Sequence, residues 1–318
     1  VAPVWRRVVF GLNVTQTLAL IERQVTQLRR LTEAMPETDW VLQYSPETFS
    51  SAELPVSLKA CEAAIAAWGA GREVILNLPT TVENATPNVF ADQVEWMRRA
   101  LAAHPNVTLS VHPHNDRGTG TAAAELALMA GAQRVEGCLF GNGERTGNLD
   151  IVNVALNLYT QGVHPGLDFS NIDAIRATVE HCNQLPVSAR HPYAGDLVYT
   201  SFSGTHQDAI KKGFAARRDG DVWEAIDPQD LGRSYEAVIR ANSQSGKGGM
   251  AYLLERDHGE VMTRERQQAF SRTAQRVMDA QGGELSSGDL LALYEREYGL
   301  PGRAANDAAQ AQCEPDVA

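Results

Sequence analysis

Four short apolar runs, each closed by turn residues and each paired with a stretch of helical spacing, constrain this chain more than anything else in it. The runs are Trp40 to Tyr44, Glu73 to Leu78, Val107 to Val111 and Arg134 to Phe140. They are rich in Val, Ile and Leu and short enough to be buried strands. Residues 14–34 place Leu18, Leu20, Ile21, Val25, Leu28 and Leu31 close to one helical face. Residues 52–68, 88–103 and 119–130 show the same spacing, with Asn88 as the residue that opens the third helix. Strand and helix thus alternate with a repeat of roughly 25–35 residues, the size of a βα unit, which predicts a parallel sheet with crossover helices.

The pattern changes after residue 148. Residues 148–160 read as a helix closing the fourth unit, and residues 170–183 as another with Ser170 as its N-cap. Asp227-Pro228 reads as an N-cap followed by proline at the first helical position, opening a helix to about Ala241. SQSGKGG at 243–249 reads as a glycine-rich loop, and 262–281 and 286–298 as helices. The second half is therefore mainly helical, with a domain boundary expected near residue 165 and a frayed Ala-, Asp- and Gln-rich tail from Arg303.

Composition excludes several classes of function. The chain of 318 residues carries 28 Lys and Arg against 39 Asp and Glu, a net charge of −11. That balance disfavours a nucleic-acid surface, which needs clustered cations. The cysteines Cys61, Cys138, Cys182 and Cys313 are scattered, so a reducing, cytoplasmic setting without disulfides is expected. No apolar run is long enough to span a membrane. The chain starts with Val rather than Met, and the reading frame is expected to extend further upstream.

The sharpest chemical feature is His112-Pro113-His114-Asn115-Asp116 at the end of the third run. Side chains alternate along a strand, so His112 and His114 share a face with Thr108 and Ser110, while Val107, Leu109 and Val111 take the other. Two imidazoles about 7 Å apart along one strand face can converge on one divalent ion. A histidine pair of this kind more commonly bonds to nearby loops, but its place at a strand end among polar neighbours favours a metal. Glu47 ends the first run, Thr81 the second, and Asn148 follows the fourth, so each delivers a polar group to the same end. In a barrel that end is the active-site mouth. GNGERTGN is glycine-rich but lacks the phosphate-loop spacing. His206 in SGTHQDAI stands near a helix start.

Taken together, YSPETF, NLPTTVENATPNVFADQVEWM, HPHNDRGTGTAAAELALMAGAQRVEGCLFGNGERTGN, HPYAGDLVYTSFSGTHQDAI and NSQSGKGG resemble the long-form 2-isopropylmalate synthases over roughly residues 5–300. The resemblance implies an α/β fold of the (β/α)8 TIM-barrel type, of which this chain carries the last four βα units. Residues 1–165 would be that half-barrel, 166–300 a mainly helical linker subdomain, and 301–318 a disordered tail. It implies a divalent metal on His112 and His114 with Asn148 at or near it, Mg²⁺ first and Mn²⁺ or Zn²⁺ next. Thr81 matches a residue that contacts the keto-acid carboxylate, Glu47 an active-site glutamate, and His206 a histidine that reaches the partner's site in a homodimer. The implied reaction is a Claisen condensation of acetyl-CoA with 3-methyl-2-oxobutanoate, giving 2-isopropylmalate and CoA.

Where the family has an Arg-Asp-Gly-Asn-Gln segment that supplies a metal-ligating Asp and an enolate-stabilising Arg, this sequence has no counterpart. The stretch Val222–Pro228 is shorter than in the family and lacks its Tyr, and no leucine-sensing domain follows. The chain is accordingly expected to be truncated at both ends. Two other readings stand beside the first: a catalytically inactive remnant that only binds, and a homocitrate or citramalate synthase. A half-barrel is also expected to expose two sheet edges and a broad apolar face.

Overall fold

The computed structural model describes residues 1–69, 71–199, 206, 209, 212–213, 216, 218, 225–234, 247–281 and 285–299. The chain divides into two compact units, Val1–Leu167 and Asp168–Ala318.

The first unit is built on a four-stranded parallel sheet in the order β1-β2-β3-β4. The strands are β1 (Leu42–Tyr44), β2 (Val74–Thr80), β3 (Val107–Pro113) and β4 (Arg134–Val135). Sequential order with a helix between neighbours is the arrangement of consecutive βα units in a barrel. The helices are α1 (Val14–Glu33), α2 (Leu54–Trp68), α3 (Pro87–Ala100), α4 (Gly120–Met129) and α5 (Ile151–Thr160).

Register fixes which side chains face the helices. Leu76 lies opposite Leu109 and Leu78 opposite Val111. These residues, with Val74 and Val107, are buried in one cluster with Ala64 and Trp68 of α2, Phe90, Val94 and Met97 of α3, and Ala123 and Ala127 of α4. The other parity gives Asn77 opposite Ser110 and Ser110 opposite Arg134. The face turned away from the helices is therefore polar, not the broad apolar face expected of a half-barrel. Asn77 donates to Ser45 Oγ (3.4 Å), and Arg134 donates to Ser110 Oγ (3.1 Å). Side chains that hydrogen-bond to one another across strands remove the need for an apolar lid.

Several boundaries differ from those expected. β4 stops at Val135 instead of continuing to Phe140. The backbone turns at Gly137, where a Cβ would lie 2.4 Å from the Leu149 carbonyl oxygen. Phe140 is in the left-handed region at φ 58°, which a strand does not allow. α3 is entered from Thr86 with Pro87 at its start, so Asn88 lies inside it. Of the apolar stripe on α1, Val25 is buried but Leu28 and Leu31 are about half exposed, at 48% and 54%.

In the second unit, α6 (Ile172–Asn183) is capped by Asn171, whose side chain accepts from the Ala174 N–H, and not by Ser170. Pro228–Leu231 forms only a 3-10 turn, capped by Asp227 and closed by Gly232 at φ 70°. A Cβ on Gly232 would lie 2.4 Å from the Ser170 carbonyl oxygen, so the helix expected to run on to Ala241 is broken there; residues 235–241 lie outside the described residues. Lys247, Gly248 and Gly249, expected in a loop, open α7 (Lys247–His258). It packs with α8 (Arg264–Gln281) and α9 (Ser287–Tyr298) around Met250, Leu254, Phe270, Met278, Leu290 and Tyr294. α9 is entered through a capping box in which Ser286 and Asp289 satisfy each other's backbone N–H. No helix among the described residues is long and apolar enough to cross a membrane.

Candidate functional site

The C-terminal ends of the strands carry the polar residues singled out in the sequence, and two networks of hydrogen bonds hold them. The first centres on β3. His112 and His114 emerge from one strand face and their rings sit 5.3 Å apart at 67°. His112 Nδ1 is 3.3 Å from Glu136 Oε2. The same oxygen accepts from Asn77 Nδ2 (3.0 Å), and the other carboxylate oxygen accepts from Arg134. Burial pushes the Glu136 carboxyl up. The Arg134 guanidinium, helped by Gln43 and His112, outweighs it and leaves Glu136 below its ordinary range. Glu136 is thus a carboxylate at neutral pH, clamped from two sides.

His114 is buried. Its backbone N–H donates to Thr80 Oγ1 (3.0 Å), and its Nδ1 lies 2.8 Å from the Thr81 carbonyl. Arg145 Nη2 donates to that same carbonyl at 2.6 Å and lies 2.7 Å from Nδ1. One nitrogen cannot both donate to Thr81 and accept from Arg145. Nδ1 can donate to the carbonyl or accept from Arg145, and the tautomer decides which.

The second network ties the β2, β3 and β4 loops together. Arg145 donates to Asp116 Oδ1 (2.7 Å), and Asp116 Oδ2 accepts from the Glu83 N–H (2.8 Å). Glu83, buried, accepts in turn from the Arg117 N–H (2.6 Å) and from Thr119. Arg145 holds the Asp116 carboxyl down at about 2, against an ordinary 3.8. A carboxyl depressed on folding favours the folded state above its unfolded value of about 4, and that contribution is lost as pH falls through about 2. In Arg145→Ala the Asp116 carboxyl should titrate close to 4 in carbon-detected NMR; an unmoved titration would show that Arg145 is not its partner in solution.

Asn148 reaches the site through the glycine-rich loop. It forms an antiparallel bridge with His114, flanked by Asn115 N–H to Gly147 O (3.0 Å) and Leu149 N–H to Pro113 O (2.9 Å). Gly147 permits this closure: its φ is 106°, and a Cβ would lie 2.2 Å from the Gly141 carbonyl oxygen. Asn148 Nδ2 lies 3.6 Å from Cys138 Sγ, while its Oδ1 is buried without a partner. A buried amide oxygen with no donor is an unmet demand that a cation or water can meet.

Glu47 and Thr81 form a third contact. The Thr81 hydroxyl donates to the Glu47 carboxylate and accepts from the Thr48 N–H (2.9 Å). Thr48 is held in the left-handed region at φ 62°. The first unit therefore assembles Glu47, Thr81, His112, His114 and Asn148 at one end of one sheet. His206 belongs to the second unit, where it is helical and exposed.

The sequence reading did not single out Glu136, Asn77, Arg134 or the Arg145–Asp116–Glu83 chain. The signal available was parity: Asn77 and Ser110 break the apolar pattern of their strands on the same face as His112. Among the described residues no group of three or more His, Cys, Asp or Glu is arranged to hold a metal. What the site offers is two imidazoles 5.3 Å apart and the amide of Asn148, which is bridged to His114 through the backbone. Such a set fits a divalent ion that accepts nitrogen ligands, with water completing the shell.

Residues 1–179 match the HMGL-like family and residues 196–255 the alpha-isopropylmalate synthase post-catalytic domain. The chain is 63% identical to a 2-isopropylmalate synthase of Cupriavidus taiwanensis over 304 residues, covering 94% of this chain and 53% of that protein. It is 58% identical to one from Herbaspirillum seropedicae over 313 residues, covering 96% and 54%. An HMG-CoA lyase structure from Bacillus subtilis aligns more loosely, with TM-score 0.42 at 20% identity over 51% of this chain and 56% of that one. The chain thus spans about half the length of the relatives it matches. It belongs to the HMGL-like family, and the relatives it matches at 63% and 58% identity are 2-isopropylmalate synthases.

Proposed function

We propose that this chain serves the 2-isopropylmalate synthase reaction: condensation of acetyl-CoA with 3-methyl-2-oxobutanoate to give 2-isopropylmalate and CoA. The observation that carries the proposal is the joint placement of His112, His114, Asn148, Thr81 and Glu47 at one end of the sheet. Residues 1–165 are the catalytic half-barrel and 166–300 the linker subdomain. The working form is a homodimer in the cytoplasm.

His112, His114 and Asn148 would hold a divalent ion, Mg²⁺, Mn²⁺ or Zn²⁺. A bound ion supplies Lewis acidity toward the keto carbonyl. Thr81 takes the carboxylate of the keto acid. Its hydroxyl proton is committed to Glu47 in the structure, so turning it toward the substrate releases the Glu47 carboxylate. Glu47, with the His206 that the partner protomer of the homodimer contributes, then removes a methyl proton from acetyl-CoA; a carboxylate and an imidazole are side-chain types that serve as general bases. The enolate carbon attacks the keto carbon, and water cleaves the thioester to release CoA.

The test is thiol release from acetyl-CoA with a panel of 2-keto acids and each of the three metals. The reading expects release that depends on 3-methyl-2-oxobutanoate and is lost in His112→Ala. Release with 2-oxoglutarate or pyruvate in its place would move the chain to the homocitrate or citramalate reaction. A folded chain that releases no CoA under any of these conditions would contradict turnover by this polypeptide.

A further inference from the structure

The geometry points to Glu136 as a positioning residue: clamped by Asn77 and Arg134, it fixes His112 in the Nδ1–H tautomer and so aims the Nε2 lone pair away from the sheet network before any ligand arrives. The consequence for a metal rests on the function proposed above; the tautomer does not.

Glu136 is the centre of the polar face. Its Oε2 lies 3.3 Å from His112 Nδ1 and 3.0 Å from Asn77 Nδ2, and Arg134 donates to its other oxygen. Asn77 is 3% exposed and so cannot swing away to water. Arg134 is held in turn by Ser110 Oγ at 3.1 Å. A carboxylate surrounded by donors can only accept. The imidazole nitrogen facing it must therefore carry the hydrogen, and the remaining ring nitrogen must be the lone-pair one when His112 is neutral. The two histidines have independent partners, Glu136 for His112 and the Thr81 carbonyl with Arg145 for His114. Metal-binding histidines are generally oriented by such outer partners, whose loss costs roughly 10–100-fold in affinity.

The experiment uses the full chain labelled with ¹⁵N-histidine and free of metal. Long-range ¹H–¹⁵N correlation reads the tautomer of each ring, and a Mn²⁺ titration follows. In the wild type, His112 should show a protonated Nδ1. In Glu136→Ala it should shift toward the Nε2–H form while His114 stays unchanged, and Mn²⁺ affinity should fall by about 10–100-fold. Glu136→Gln keeps an acceptor oxygen and should retain more of both than Ala does; it carries the test if the Ala variant does not fold. A wild-type His112 with its proton on Nε2 overturns the inference. So does a folded Glu136→Ala chain in which neither tautomer nor affinity moves. A wild type with the expected tautomer that binds no Mn²⁺ defeats the metal reading and leaves the role of Glu136 in orienting the ring standing.

Discussion

Trp68→Ala is expected to destabilise the first unit by about 3–5 kcal/mol. Trp68 ends α2, is 2% exposed, and sits in the cluster that joins α2 and α3 to β2 and β3. Arg72 lies over its ring at 4.2 Å, so the outer edge is covered by a cation. Removing the indole leaves a cavity between helix and sheet that rigid strands cannot close. Total stabilities of single domains are only about 5–15 kcal/mol, so the loss would leave the strand ends poorly held. The indole N–H is buried without an acceptor. Trp68→Phe removes that N–H and keeps most of the contact, and should cost less than half as much. Hydrogen exchange of the β2 and β3 amides reads both variants without confusion from the second unit. A loss below about 1 kcal/mol in the Ala variant would contradict the packing described here.

The second large effect falls on the site itself. His114→Ala should lower Mn²⁺ affinity by more than the roughly 10–100-fold that follows from losing an outer partner, because it removes one of the proposed ligands. It should also loosen the loop that carries Asn148. The His114 backbone pairs with Asn148, but the ring is what fills the space beside Thr81 and Arg145. Calorimetric titration of the folded variant measures the affinity, and exchange of the Asn148 and Leu149 amides reports the loop. Wild-type affinity in His114→Ala would place the metal elsewhere.

Much of the fold was legible because it depends on local pattern. Apolar runs such as Val107–Val111 between helical stretches specify βα units whatever the partner strand, and parity alone puts His112 and His114 on one face. What was not legible depends on register or on competition at a boundary. The Asn77–Glu136–His112 cluster joins β2, β3 and the residue just past β4, and no one of these segments announces it. β4 reads as a strand to Phe140 from its residues, but Gly137 and the Leu149 carbonyl turn the chain earlier. Asn171 takes the cap from Ser170 because either residue type can serve and only the geometry of the turn decides. α7 was missed because Lys247-Gly248-Gly249 reads as a linker. Its signal was Met250, Leu253 and Leu254 at helical spacing, all buried in the second unit. His206 was singled out from its surroundings in the sequence, and its role remains the proposal made above.

The central claim is that His112 and His114 bind one divalent ion together. Electron spin-echo envelope modulation of the Mn²⁺-loaded chain tests it most directly, because each coordinated imidazole nitrogen couples to the metal spin. The account predicts coupling from two histidine nitrogens, reduced to one in His112→Ala and in His114→Ala alike. Modulation from water alone, or a histidine signal that survives both substitutions unchanged, would contradict it.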